Sequence, residues 1–259
     1  MTKKLYFLHI PKTGGMNILA KIKGNSNLNP FIGSTDSTIE EFNSSNFIIG
    51  HFGKTPITKN ENISVACMVR NPIDRSVSNF IHSYNNAIQN IQDNEIYKTI
   101  EKIEDKLKYY LFEDPYYSAV NNLQCRSIFN NMKDEAFQNL FKKENVNIIE
   151  KNNNIWYLND EEYTLEDIIN LIDSFEIVET IERHDIFYNK IKQWFMNNLD
   201  VSFSDREFEN IPSKIIDKDL NEYTTESLIN SLTEIEKQQI LDNNSFDLFL
   251  YNYIKSKNE

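Results

Sequence analysis

The chain has 259 residues, of which 40% are hydrophobic and 25% charged, and a formal net charge of -12. This length suits one large α/β domain, and since no Pro-, Gly- or Ser-rich stretch predicts a linker, we expect residues 1–259 to form a single domain. The negative net charge argues against nucleic acid as a partner. No apolar stretch of the sequence approaches the roughly 20 residues that a membrane-spanning helix needs.

The two cysteines, Cys67 and Cys125, give little sign of a disulfide or a metal site. One lies in a predicted buried strand and the other in a predicted helix, so their positions predict neither a disulfide framework nor metal-ligand spacing. The apolar run behind the charged N-terminal residues is too short for a signal peptide. We therefore expect a cytoplasmic protein that uses no metal ion.

The first predicted elements are a strand over residues 4–10, a glycine-containing turn, and a helix over residues 16–23. The turn reads Pro11, Lys12, Thr13, Gly14, Gly15. Such a turn gathers backbone N–H groups at the positive end of the helix dipole, with a lysine beside them, and this predicts a phosphate-binding loop. Because the lysine precedes the glycines, the loop differs from the G-x-x-x-x-G-K-[ST] loop of nucleoside triphosphatases.

Two more strands are predicted, over residues 47–50 and 63–69. His51 follows the first of them, and Arg70 follows the second. A helix over about 73–92 then begins, since Pro72 suits a first helical turn. Arg70 and Ser78 could therefore converge on one anion, while Arg75 has the alternative of an ion pair on the helix surface.

The rest of the chain alternates between helices and one more strand. Apolar residues at helical spacing predict helices over most of residues 95–143, broken at Pro115, and residues 145–163 predict a hairpin or an irregular segment. The remaining predicted elements are a helix over 164–174, a strand over 175–178, a helix over about 185–198, and two helices in the C-terminal 35 residues. The pattern predicts an α/β fold with a largely helical middle region.

Two motifs resemble those of the sulfotransferases that use 3′-phosphoadenosine 5′-phosphosulfate (PAPS). Residues 9–15 read His-Ile-Pro-Lys-Thr-Gly-Gly, and residues 70–78 fit R-x-P-x-x-R-x-x-S. The likeness is to the carbohydrate-type (heparan sulfate 2-O-sulfotransferase-like) branch. It implies a P-loop-like three-layer fold with a parallel central sheet flanked by helices, and a mostly helical insertion over about 93–165 on the acceptor side.

The resemblance also implies the ligands and the residues that hold them. The donor would be PAPS, the product 3′,5′-ADP (PAP), and the acceptor a hydroxyl, less readily an amine, of a carbohydrate or small metabolite, in a bacterial version of the family. Weaker motif matches place Thr180 at the adenine and Arg126 or Arg183 at the 3′-phosphate beside Arg70 and Ser78, each with a structural role as the alternative. The 5′-phosphate would be held by Pro11, Lys12, Thr13, Gly14, Gly15, Met16 and Asn17.

The chemistry of sulfuryl transfer assigns two catalytic roles. Lys12 would stabilise the leaving oxygen, and His51, which matches the family's G-H segment, would act as general base, with loop ordering as its alternative role. For His9 we expect a structural hydrogen bond in the sheet. Met16 and Asn17 replace the family's Thr-Ser, so a degenerate nucleotide-binding protein without turnover stays open, as does a nucleotide-dependent phosphotransferase.

Overall fold

The computed structural model describes residues 3–26, 28, 30–32, 41, 44–51, 53–54, 62–85, 94–114, 121–129, 164–204, 214–216 and 222–259. The elements in chain order are β1 (Lys4–Leu8), α1 (Gly15–Asn25), β2 (Phe31–Ile32), β3 (Phe47–Gly50), β4 (Ile63–Val69), α2 (Pro72–Asn85), α3 (Glu95–Thr99), α4 (Ile103–Phe112), α5 (Leu123–Phe129), α6 (Leu165–Asp173), β5 (Ile177–Thr180), α7 (His184–Leu199), β6 (Lys214–Ile216), β7 (Glu222–Thr224), α8 (Thr225–Asn230), α9 (Glu234–Asn243) and α10 (Ser245–Asn258).

The chain divides into two compact units. The first comprises Met1–Val69, Leu123–Phe208 and Phe249–Glu259, and the second comprises Arg70–Asn122 and Glu209–Leu248. In the first unit a five-stranded sheet has the order β2-β3-β1-β4-β5, and every neighbouring pair is parallel. With its flanking helices, this sheet confirms the predicted α/β fold.

The register brings the carboxyl ends of the central strands to one edge of the sheet. Leu8 of β1 pairs with Gly50 of β3 and with Cys67 of β4, and Val69 of β4 pairs with Thr180 of β5. The five residues of β1 are all buried, as expected for a parallel strand covered on both faces. In sheets of this kind, ligands bind beyond the carboxyl ends of the strands.

The second unit is mainly helical. It contains α2, α3, α4, α8 and α9 with the antiparallel pair β6–β7, and its buried apolar residues come from all of these except β7 and include Phe80, Leu107 and Leu228. The Tyr110 hydroxyl links two of the helices, because it accepts a hydrogen bond from the Asn79 amide and lies 3.1 Å from the Ser83 hydroxyl.

Several boundaries differ from the sequence-based expectations. β1 ends at Leu8, so His9 and Ile10 already belong to the loop, and β5 runs over 177–180 rather than 175–178. The C-terminal 35 residues contain three described helices, not two. The parts of the helical prediction at 86–93, 115–120 and 130–143, and the predicted hairpin at 145–163, lie outside the described residues. Within the described part of the chain, no helix is both long and apolar enough to span a membrane.

Candidate active site

The loop between β1 and α1 combines two left-handed residues with a buried side-chain brace. Lys12 has φ 68 and Gly14 has φ 85. A positive φ is uncommon for a long side chain such as lysine, and backbone outliers of this kind cluster at functional sites. Between them, the buried Thr13 hydroxyl donates a 2.8 Å hydrogen bond to the Ile10 carbonyl. The Thr13 side chain therefore braces the loop, and the loop is curved as a phosphate-binding turn requires.

The first turn of α1 offers several backbone donors. Gly14 caps the helix without a side-chain hydrogen bond, and the first turn carries no acidic residue. Among the described residues, none accepts a hydrogen bond from the backbone N–H groups of Gly14, Gly15 and Met16. Together with the helix dipole, these donors suit an anion.

The two loop glycines are favoured for different reasons, Gly14 mainly by its positive φ and Gly15 by close approach. A Cβ atom added to Gly14 would lie 3.1 Å from the Met68 side chain and 3.3 Å from that of Ile181, and one added to Gly15 would lie 2.1 Å from Cδ2 of His9. The contacts of Gly14 put the loop beside the ends of β4 and β5. Thr180, the buried last residue of β5, thus lies in the same region as the loop.

His9 and His51 form a stacked pair behind the loop. Their ring centroids are 4.8 Å apart with an interplanar angle of 27°, and Nδ1 of His51 is hydrogen-bonded to the backbone carbonyl of His9. A carbonyl only accepts, so Nδ1 carries the proton and the lone pair of a neutral His51 is on Nε2.

The environment keeps both imidazoles uncharged at neutral pH. Burial, with smaller contributions from the charges of His51 and Lys12, lowers the pKa of His9 to about 3. Burial also lowers the pKa of His51, although the hydrogen bond to the His9 carbonyl opposes that shift. A neutral His51 with its lone pair on Nε2 has the protonation state that a general base needs.

Arg183 is held by partners from its own unit. Its Nε lies 2.8 Å from Oε2 of Glu179, and its Nη1 donates a 2.6 Å hydrogen bond to the Asn258 carbonyl in α10. Glu179 is fully buried on β5 and also accepts a 2.6 Å hydrogen bond from Lys190. This is the structural role that the sequence left open for Arg183, and its contact with a phosphate stays a prediction.

The second motif belongs to the second unit. Arg70 directly follows the last residue of β4 and is half-buried, and Ser78 is buried on α2. Arg75 differs from the surface residue that we considered, because it is 1% exposed and its Nε lies 4.0 Å from Oδ2 of Asp247, which is 0% exposed. Arg75 is thus a buried partner of a buried carboxylate.

The other predicted residues occupy the first unit. Met16, at the start of α1, is 64% exposed, while Pro11 and Asn17 are half-buried. Arg126 is half-buried on α5. No group of three or more His, Cys, Asp or Glu side chains that could hold a metal ion occurs in the described parts of the chain.

Sequence reasoning missed the contact between His9 and His51. It placed His9 inside a strand, whereas His9 is the first residue after β1 and its neighbour His51 is the first residue after β3. The available signal was that each histidine ends a short apolar run, since the carboxyl ends of adjacent parallel strands meet at one edge.

Residues 1–254 match a protein-family model described as "Sulfotransferase family". A search of curated proteins gave no match.

Proposed function

The chain belongs to the sulfotransferase family, and on that premise we propose that it transfers a sulfuryl group from PAPS to a hydroxyl of a carbohydrate or other small metabolite, as in the carbohydrate-type branch. The observation that carries this proposal is the loop from Pro11 to Asn17. It combines backbone donors at the start of α1 with Lys12 and a stacked pair of neutral histidines.

The donor is proposed to bind at two phosphate anchors. The N–H groups of Gly14, Gly15 and Met16, with the Asn17 amide nearby, would hold the 5′-phosphate, and Thr13 would act by shaping the loop through Ile10. Arg70 and Ser78 are proposed for the 3′-phosphate, because arginine offers a planar bidentate donor to phosphate.

Two further positions complete the proposed donor site. Thr180 is proposed at the adenine because it ends β5, whose neighbouring residue Ile181 lies close to Gly14. Arg126 is proposed as an additional donor to the 3′-phosphate. Arg183 is a weaker candidate for that phosphate, since its guanidinium already contacts Glu179 and Asn258.

Lys12 and the loop donors would act on the leaving group. When sulfur is transferred, the acceptor oxygen forms a bond to sulfur while the bond between sulfur and the 5′-phosphate oxygen breaks, and negative charge collects on that oxygen. A lysine ammonium and preorganised N–H groups stabilise such charge more in the transition state than in the ground state.

His51 would accept the proton from the attacking hydroxyl. Its Nδ1 is committed to the His9 carbonyl, which leaves Nε2 as the basic nitrogen. The lowered pKa of His51 keeps the imidazole neutral at pH 7, and a positioned base of this kind typically contributes about 10² to 10⁴ in rate.

The donor assignment can be tested by nucleotide binding. We expect 3′,5′-ADP to bind at least about tenfold more tightly than 5′-AMP, equivalent to ~1.4 kcal/mol for the second anchor. Arg70→Ala should remove this preference, and Lys98→Ala, which removes an exposed cation of the same unit, should keep it. Equal affinities of the parent for the two nucleotides would refute the two-anchor site.

The transfer reaction requires its own test, because one feature favours binding without turnover. Met16 and Asn17 stand where the family has hydroxyls, and the Met16 side chain is exposed to solvent. Incubation with radiolabelled PAPS and a panel of sugars and small alcohols should label an acceptor. One result would favour the alternative, in which 3′,5′-ADP binds, no acceptor is labelled, and Met16→Thr/Asn17→Ser restores labelling. The chain would then be a nucleotide-binding protein without turnover.

Ligand-induced shifts in melting temperature distinguish a sulfotransferase from a nucleotide-dependent phosphotransferase. A phosphotransferase should be stabilised more by ATP with magnesium than by 3′,5′-ADP, since ligands stabilise the native state according to their concentration relative to Kd. We expect the larger shift in melting temperature with 3′,5′-ADP.

A further inference from the structure

The His9 side chain lies against both the phosphate loop and the proposed base. We propose that His9 is a positioning residue, whose ring fixes the distance between the first turn of α1 and the imidazole of His51. This inference rests on the proposed function, to which it adds a residue that couples donor binding to proton transfer.

On the loop side, the ring is packed against the backbone of Gly15. A Cβ atom at Gly15 would lie 2.1 Å from Cδ2, 2.4 Å from Nε2 and 2.8 Å from Cγ of His9, and these are the three nearest heavy atoms. Gly15 is the first residue of α1, so the ring of His9 sets how closely the helix start approaches the end of β1.

On the base side, His9 contacts His51 in two ways. Its backbone carbonyl accepts from Nδ1 of His51, which determines the tautomer. Its ring stacks on the His51 ring at 4.8 Å, which restricts rotation of that imidazole. A residue lacking a ring at position 9 would keep the carbonyl but lose the stacking surface.

The strand side holds His9 itself in place. The backbone N–H of His9 donates a 2.9 Å hydrogen bond to the Gly50 carbonyl, and its ring lies 5.9 Å from that of Phe7. Lys12 and His51 are the charged or titratable groups whose electrostatic effect reaches His9, and burial with these two lowers its pKa to about 3. An uncharged His9 does not compete with His51 for the acceptor proton.

Gly15 and His9 can be tested as a pair. Gly15 is helical without a positive φ, so the nearest obstacle to Gly15→Ala is the His9 ring. We expect Gly15→Ala to weaken 3′,5′-ADP binding by about tenfold or more, and Gly15→Ala/His9→Ala to recover to within about threefold of His9→Ala. If the losses of the two single variants simply add in the double variant, the ring does not set the loop position.

The effect on His51 is measured by the titration of its imidazole C2 proton in nuclear magnetic resonance. His9→Ala should move this titration toward the ordinary histidine value by about half a pH unit or more, because stacking and burial are lost, while His9→Phe should move it less. Leu5→Ala, at the buried far end of β1, should lower the melting temperature without moving the titration. An unchanged titration in His9→Ala overturns the proposal.

Turnover provides the third measurement. His9→Phe should retain about tenfold more turnover than His9→Ala, since phenylalanine preserves a ring against Gly15 and His51. Equal turnover in the two variants overturns the positioning role. If His9→Ala does not fold, Gly15→Ala must still move the His51 titration, and its failure to do so is equally decisive. The resonance measurement needs neither donor nor acceptor, so it tests His9 even if the parent transfers no sulfuryl group.

Discussion

The ends of β1 and β5 lie at the same edge of one sheet, but they differ in whether their polar groups have partners within the protein. At the end of β5, the buried carboxylate of Glu179 is paired with both Lys190 and Arg183. In the loop after β1, none of the described residues accepts a hydrogen bond from the backbone N–H groups of Gly14, Gly15 and Met16. One strand end satisfies its charges within the chain, and the other presents donors.

The difference distinguishes a structural cluster from a candidate ligand site. Burying a charge is costly unless it is paired, so the pairing of Glu179 is what a stable interior requires. A lysine at positive φ costs on the order of 1–3 kcal/mol and persists where the surroundings impose it, as they do at active sites. We therefore propose that the loop after β1 holds the 5′-phosphate of the donor and that the charges of Glu179, Lys190 and Arg183 serve stability.

Helix α10 extends the structural cluster. Asn258 donates a 2.9 Å hydrogen bond to the Val178 carbonyl and accepts from Arg183, and the Tyr251 hydroxyl donates to Glu182 over 3.2 Å. These contacts fasten the last helix to β5 and to the residues that follow it. They explain why Arg183, although it belongs to the sequence motif, has its Nε beside Glu179 and its Nη1 bonded to Asn258.

Among these substitutions, removal of the His51 imidazole, which stacks on His9 at the end of β1, should have the largest effect on turnover. We expect His51→Ala to lower turnover by about 10² to 10⁴, the typical contribution of a general base, while 3′,5′-ADP affinity stays within about threefold. Steady-state kinetics and calorimetry measure the two quantities. The parent's turnover should rise with pH through a value below 6.5, because the pKa of His51 is lowered, and then level off. If His51→Ala keeps more than about a third of the parent rate, another residue is the general base.

Removal of the Lys12 ammonium comes next. Lys12→Ala should cost about 10² to 10³ in turnover, as expected for one preorganised donor to a developing charge. Lys12→Arg should recover only part of this loss, because a guanidinium fork and an ammonium occupy different space. Single-turnover rates at saturating PAPS provide the measurement. A loss confined to donor affinity would make Lys12 a ground-state contact and weaken the contrast between the two strand ends.

The sequence was sufficient for the fold class and for the turn between β1 and α1 because both depend on local patterns. The strands at 47–50 and 63–69 were predicted with their observed bounds, since buried parallel strands read as continuous apolar runs. The loop was predicted from the order of its glycines and lysine. The roles of its residues toward nucleotide stay predictions.

The sequence could not predict side-chain contacts between residues that only the tertiary fold brings together. The proximity of His9 to His51 requires that β1 and β3 be neighbours, although α1 and β2 lie between them in the chain. The burial of Arg75 requires Asp247, which is 172 residues further along the chain. For the same reason, no local pattern could distinguish Arg183 paired with Glu179 from Arg183 at a phosphate.

The stability role of the β5 end can be tested through Lys190, whose side chain is 41% exposed. Lys190→Met should lower the free energy of unfolding by about 2–3 kcal/mol, less than for a fully buried pair because Arg183 remains beside Glu179. Lys255→Met, at an exposed lysine of α10, is the control and should change it by less than about 0.5 kcal/mol. Urea unfolding gives both values. A large loss of 3′,5′-ADP affinity in Lys190→Met would contradict the structural role proposed for the charges around Glu179.

Acid should lower the stability of the protein through the half-buried imidazole of His9. The pKa of His9 is about 3 in the folded protein against an ordinary 6.5, so between pH 7.5 and 5 the unfolded chain takes up a proton at His9 and the native protein does not. Stability should therefore fall by about 2 kcal/mol from this residue alone, because pH 5 lies roughly 1.5 units below the ordinary pKa.

The substitution His9→Phe isolates this contribution from that of His51, which is present in both proteins. Urea unfolding at the two pH values should show a smaller acid loss in His9→Phe than in the parent, by that same ~2 kcal/mol. If His9→Phe loses as much stability in acid as the parent, then His9 is accessible to protons in the native state, and the β1 end is more open to water than its packing against Gly15 and His51 implies.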